Sequence, residues 1–109
     1  MYEGQIKREQ MLEANFSKAF EDLQKIAAIL TEMGLRVRNY ISDPNIIKED
    51  WKRGTTVPVA ADGCDGIRAS RNEENNGFVI SFTNGFEDYN NPQRQEVTTR
   101  LKEAGFDVN

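Results

Sequence analysis

The stretch LEANFSKAFEDLQKIAAILTEMG, residues 12–34, decides the fold class. Its apolar side chains, Leu12, Phe16, Ala19, Phe20, Leu23, Ile26, Ala27, Leu30 and Met33, recur in steps of one, three and four, which line one face of an α-helix. Gly34 supplies the left-handed residue on which helices end, and Leu35 is placed to pack back on the last turn. Upstream, Gln5, Arg8 and Glu9 continue the apolar stripe and make poor core residues, so residues 1–11 are expected to project or fray. From Glu9 to Met33 the helix spans about 37 Å, against about 23 Å for a seven-residue strand. It outruns any sheet it packs on, and Met11, Leu12 and Phe16 at the overhanging end are expected to find cover in a second copy of the chain or in a partner.

Beyond Gly34 the period changes. From Leu35 to Ile41 the spacing predicts a strand with Leu35, Val37 and Ile41 on one side and Arg36, Arg38 and Tyr40 on the other. Asp43-Pro44 reads as an N-cap with proline at the first helical position; Ile47 and Trp51 share a face and Gly54 closes a short helix over 44–52. Thr55 to Ala60 is β-branched but carries Pro58, which has no N–H to give a ladder, so it is an edge strand or a loop. Residues 61–66 form a turn. Ile67 to Arg71 and Phe78 to Asn84 read as a hairpin joined through Asn75-Asn76-Gly77, with Phe78, Ile80 and Phe82 inside. Asn91-Pro92 starts a last helix with Val97, Leu101 and Ala104 on one face; Gly105 ends it and Phe106 folds back. This order predicts one α+β domain over residues 1–109: a long N-terminal helix, an antiparallel sheet of three to four strands and a C-terminal helix, with the helices on one sheet face.

The totals agree with a folded domain. The chain has 109 residues, 38% hydrophobic and 29% charged, too apolar for a disordered polymer. No run approaches the ~20 apolar residues of a membrane span, and the first ten residues lack the apolar core of a secretory signal, so the default expectation is a cytoplasmic protein without membrane contact. With 14 Lys and Arg against 18 Asp and Glu the net charge is −4, which argues against nucleic-acid binding through overall charge. The acidic residues form no long block of the kind a DNA mimic would use.

Catalytic chemistry finds little footing. The chain has no histidine, and its single cysteine, Cys64, has neither a histidine to activate it nor a second thiol to bridge to, so it reads as inert. A protein-only zinc site lacks ligands. Asp62 and Asp65 in a glycine-rich turn lack the ligand order of a calcium loop, and Glu73-Glu74 and Glu87-Asp88 read as solvated loop acids. There is no phosphate-cradling glycine loop or nucleophile elbow. Two carboxylates meeting only in space would leave no motif. The expectation is a protein with no catalytic residues, cofactor or metal.

Two surfaces carry binding chemistry. The sheet face left uncovered would present Arg36, Arg38 and Tyr40 beside Arg68, Ser70, Ser81 and Thr83; arginine forks and hydroxyls suit phosphates and carboxylates, although alternation alone gives an antiparallel sheet one solvated polar face. With Tyr40 its one aromatic, that face is a poor stacking platform for single-stranded nucleic acid. Trp51, Phe86 and Tyr89 are aromatics of the kind that anchor interfaces, with core packing against Ile47 as the competing reading for Trp51. The leading expectation is a small acidic interaction protein that binds another macromolecule, as inhibitors, immunity proteins and virus-encoded antagonists of host defence do, self-associating through its first helix. The alternative is a binder of a nucleotide or other phosphorylated metabolite on the arginine-lined face.

Overall fold

In the computed structural model the long helix runs further than its apolar stripe: α1 spans Glu3–Glu32, 30 residues. The structure describes residues 3–60, 66–72, 74, 77–83, 86 and 88–109, with the backbone alone at 3, 5, 6 and 9. At about 1.5 Å per residue α1 is about 45 Å long, close to the longest dimension of the 48 × 24 × 21 Å molecule. Its end does not fray but projects as helix. Gly4, Lys7, Arg8, Gln10 and Met11 are exposed, and the first buried side chain among those described is Leu12.

α2, Pro44–Arg53, runs back along α1, with Gln24 donating to the Ile41 carbonyl just before it and Phe16 meeting Trp51 near its end. This path corrects the oligomer expectation at two of its three residues. Leu12 and Phe16 are buried within the chain, the Phe16 ring lying 5.6 Å from Trp51, and only Met11, 53% exposed, is left uncovered. Glu13 meets Lys48 and Lys52 of α2, and the two ammonium groups hold its carboxyl below the usual range.

The ends of the helices follow the capping signals. The Asp43 carboxylate accepts from the N–H groups of Asn45 and Ile46 at 2.9 and 3.4 Å, and the Asn91 side chain accepts from that of Gln93 at 2.9 Å. At the far end of α1 Gly34 takes φ +83°, and the Leu35 N–H reaches back five residues to the Leu30 carbonyl at 3.0 Å, closing the last turn. Gly54 and Gly105 end the other helices with the same five-residue return, Thr55 to Asp50 and Phe106 to Leu101.

Residues 35–41 do not form the expected strand. Val37 makes one bridge to Ala60, the Arg38 N–H donates to the Val59 carbonyl at 2.9 Å, and Asn39–Ser42 then coil into a single 3-10 turn. The alternation is overridden because the chain must bury Ile41 and set Asp43 at the head of α2 within a few residues. Tyr40 therefore reaches the sheet from a turn beside its edge.

The sheet has the order β1-β2-β3-β4, with β1 Val57–Ala60, β2 Ile67–Arg71, β3 Phe78–Phe82 and β4 Asp107–Val108. Pro58 sits in edge strand β1, as a residue without N–H should, next to an irregularity before Ala60. β2 and β3 form the expected hairpin pair, Ala69 opposite Ile80 and Arg68 opposite Ser81, although β3 ends at Phe82 rather than Asn84, which lies outside the described residues. The wholly antiparallel expectation is corrected by β4. After α3, Pro92–Glu103, the return at Gly105 lays Asp107 and Val108 parallel to Val79 and Ile80, and the Asn109 N–H donates to the Ile80 carbonyl at 2.8 Å. The three helices cover one face of this mixed sheet: Leu23, Ile26, Leu30, Ile47, Trp51, Val97 and Leu101 pack with Val57, Ile67, Ala69 and Ile80 in one core.

Candidate functional site: the open sheet face and its edge

Because side chains alternate along a strand, burying Ile67 and Ala69 turns Arg68 and Ser70 to the uncovered face, where the register sets them opposite Ser81 and Val79. Arg68 Nε donates to Thr83 Oγ1 at 3.4 Å, a long bond that leaves the guanidinium loosely held. Tyr40 arrives at the same place from the edge: its hydroxyl donates to the carbonyl of Pro58, the residue paired with Arg68, at 2.6 Å. Burial pushes the Tyr40 phenol above its ordinary pKa of 10, Asp50 adds to that shift, and Arg38 and Arg68 oppose it.

Of the five residues expected to bind an anion, Arg38, Tyr40 and Arg68 come together. Ser70 lies two positions along β2 on the same face, and Arg36 is exposed on the segment leading to the edge. The cluster forms although the strand expected to carry half of it does not.

The aromatic trio separates. Trp51 is 0% exposed, its ring against Phe16 and 5.7 Å from the Arg71 guanidinium, its Nε1 donating to the Gly77 carbonyl at 3.3 Å; it is core and is corrected as a partner contact. Phe86 is half-buried and stacks on Phe82 at 6.2 Å. Tyr89 stands 78% exposed yet is held, because Arg94 lies 4.2 Å from its ring and 4.6 Å from that of Phe82, with Nη1 donating to the Phe86 carbonyl at 2.7 Å. Arg94 was missed in the sequence. Its signal was faint: an arginine in the first turn of a capped helix, just after two loop aromatics.

Cys64, Asp62, Asp65, Glu73 and Glu87 lie outside the described residues. Among the described residues no group of three or more His, Cys, Asp or Glu could hold a metal ion, and no helix is long and apolar enough to cross a membrane. Compared with protein families, with curated proteins and with solved structures, the chain matches none of them.

Proposed function

We propose that this protein is a non-enzymatic interaction domain of the inhibitor, immunity or anti-defence type, and that it docks an acidic surface of another protein on its open sheet face. The observation that carries the reading is that the segment bearing Arg38 and Tyr40 is tied to the sheet edge next to Arg68, through the Arg38 N–H on the Val59 carbonyl and the Tyr40 hydroxyl on that of Pro58, the residue paired with Arg68, in a chain of net charge −4. Arginine forks match carboxylates in pairs, and complementary charge steers an acidic partner to such a face. Arg36 is exposed on the segment that leads to the same edge. The test is co-isolation from the native cell with wild-type protein and with Arg36→Glu/Arg68→Glu. A defined acidic partner held by the wild type, released by added salt and lost in the variant supports the reading; the same partner held equally by both proteins refutes it.

The second reading, a phosphorylated metabolite such as a nucleotide on the same residues, draws on Thr83, whose hydroxyl accepts from Arg68 and keeps its own proton to donate to a phosphate oxygen. Here melting temperature should rise with ligand concentration, by linkage, and the rise should vanish in Arg36→Ala/Arg68→Ala. A flat response to phosphate, pyrophosphate and nucleotides excludes it.

A further inference from the structure

On the helix-covered side of the sheet, away from the arginine cluster, Tyr89 borders a depression of 450 Å³. Its wall is one face of α3, where Gln95, Thr98, Thr99 and Lys102 follow each other at helical spacing, and Arg94 closes the end beneath Tyr89. The volume falls within the range of small-molecule sites, about 300–1,000 Å³. Asn109 also lines it, and among the described residues the lining side chains include two cations and no carboxylate, in a chain that carries more acid than base.

The Tyr89 ring is preorganised as a platform. One side rests on the Arg94 guanidinium, which is itself fixed between two rings and bonded to the Phe86 carbonyl, and Gln95 Nε2 donates to the Tyr89 carbonyl at 3.0 Å. A cation under one face of an aromatic ring draws down its π charge, so the other face becomes a poor seat for a second cation and a better one for an electron-rich ring. Lys102 sits seven residues beyond Gln95, about 10 Å along the helix axis, and supplies a positive charge at the far end of the same depression. Hydroxyls of Thr98 and Thr99 lie between.

We propose that this depression binds a planar aromatic anion of nucleotide size, its ring stacked on Tyr89 and its phosphate at Lys102. The ligand's polar middle meets Thr98, Thr99 and the Gln95 amide. This site is independent of the arginine cluster on the opposite face and does not rest on the reading given to that cluster.

The experiment is a titration of isotope-labelled protein with adenosine monophosphate, read by backbone amide shifts, with adenosine and inorganic phosphate as separate arms. The expected result is saturable shifts at Tyr89, Gln95, Thr99 and Lys102. Because Tyr89 is exposed, Tyr89→Ala should fold normally and weaken binding about tenfold or more, the scale of one stacked base. Lys102→Ala should weaken the monophosphate and leave adenosine unchanged, and Arg68→Ala should change neither. Shifts that do not saturate, that survive Tyr89→Ala, that inorganic phosphate reproduces alone, or that map to Arg38 and Arg68 would each overturn the proposal.

Discussion

Replacing Trp51 with alanine tests where the structure puts the largest side chain of the core. The indole is fully buried, contacts Phe16, lies under the Arg71 guanidinium and bonds the Gly77 carbonyl of the β2–β3 connection, so it ties α1, α2 and the hairpin together. Truncating a buried tryptophan costs about 3–5 kcal/mol in lost transfer energy and cavity. The Gly77 carbonyl keeps its bond from the Asn72 N–H at 2.9 Å, so the loss is chiefly one of packing. Against a total stability of about 5–15 kcal/mol this is about a fifth or more, and at about 4 °C per kcal/mol for a chain of this size it lowers the melting temperature by about 12–20 °C. Circular dichroism at the helix band is the assay, since the variant has no indole left to report. Wild-type fluorescence gives an independent check: the sole tryptophan should emit as a buried indole and shift to the red on unfolding. A loss of less than about 1 kcal/mol, with a partner lost at the same time, would put Trp51 on the surface and refute the packing described above.

Other expectations follow from the caps, the turn and the raised phenol. Asp43→Ala removes the acceptor of two N–H groups at the head of α2 and should cost about 0.5–2 kcal/mol by urea denaturation. Gly34→Ala should cost about 1 kcal/mol through left-handed backbone strain alone, because a Cβ there meets no atom within 4 Å; an unchanged melting temperature would argue against the φ of +83°. Tyr40 binds its proton more tightly folded than unfolded, so its contribution is fully present below pH 10 and is lost as pH rises through the higher folded value. Melting between neutral pH and strong alkali should therefore show a decline in the wild type that is shallower in Tyr40→Phe; parallel declines would contradict the burial of the phenol.

Much of this fold was legible because its punctuation is local. Asp43-Pro44, Asn91-Pro92 and the glycines at 34, 54 and 105 mark helix ends by chemistry that acts within a few residues, and the α1 stripe repeats often enough to have one interpretation. The hairpin was readable from Phe78, Ile80 and Phe82 for the same reason. β4 was not: two residues have no period, and their parallel pairing with Val79 and Ile80 depends on a helix placed between. Residues 35–41 misled because alternation reports two faces without saying whether a ladder partner exists along the whole length.

The candidate sites divide in the same way. Arg68 and Ser70 were assigned to the open face by period two, and the structure keeps them there. Arg38 and Tyr40 came to the strand that pairs with Arg68 by a route, a 3-10 turn at the sheet edge, that no spacing encodes. Tyr89 was picked out as an aromatic in a loop, while the arginine that holds it became visible only when α3 packed beside Phe82.

The central claim is that the arginine cluster at the sheet edge meets the partner. Arginine-specific covalent footprinting of the native complex against the free protein tests it most directly, with Arg94 on the other side and Arg8 on the projecting end of α1 as internal references. The account predicts that Arg36 and Arg68 lose reactivity on binding while Arg8 and Arg94 keep theirs. Protection of Arg8 with Arg36 and Arg68 unchanged would contradict it and place the interface on the overhanging helix.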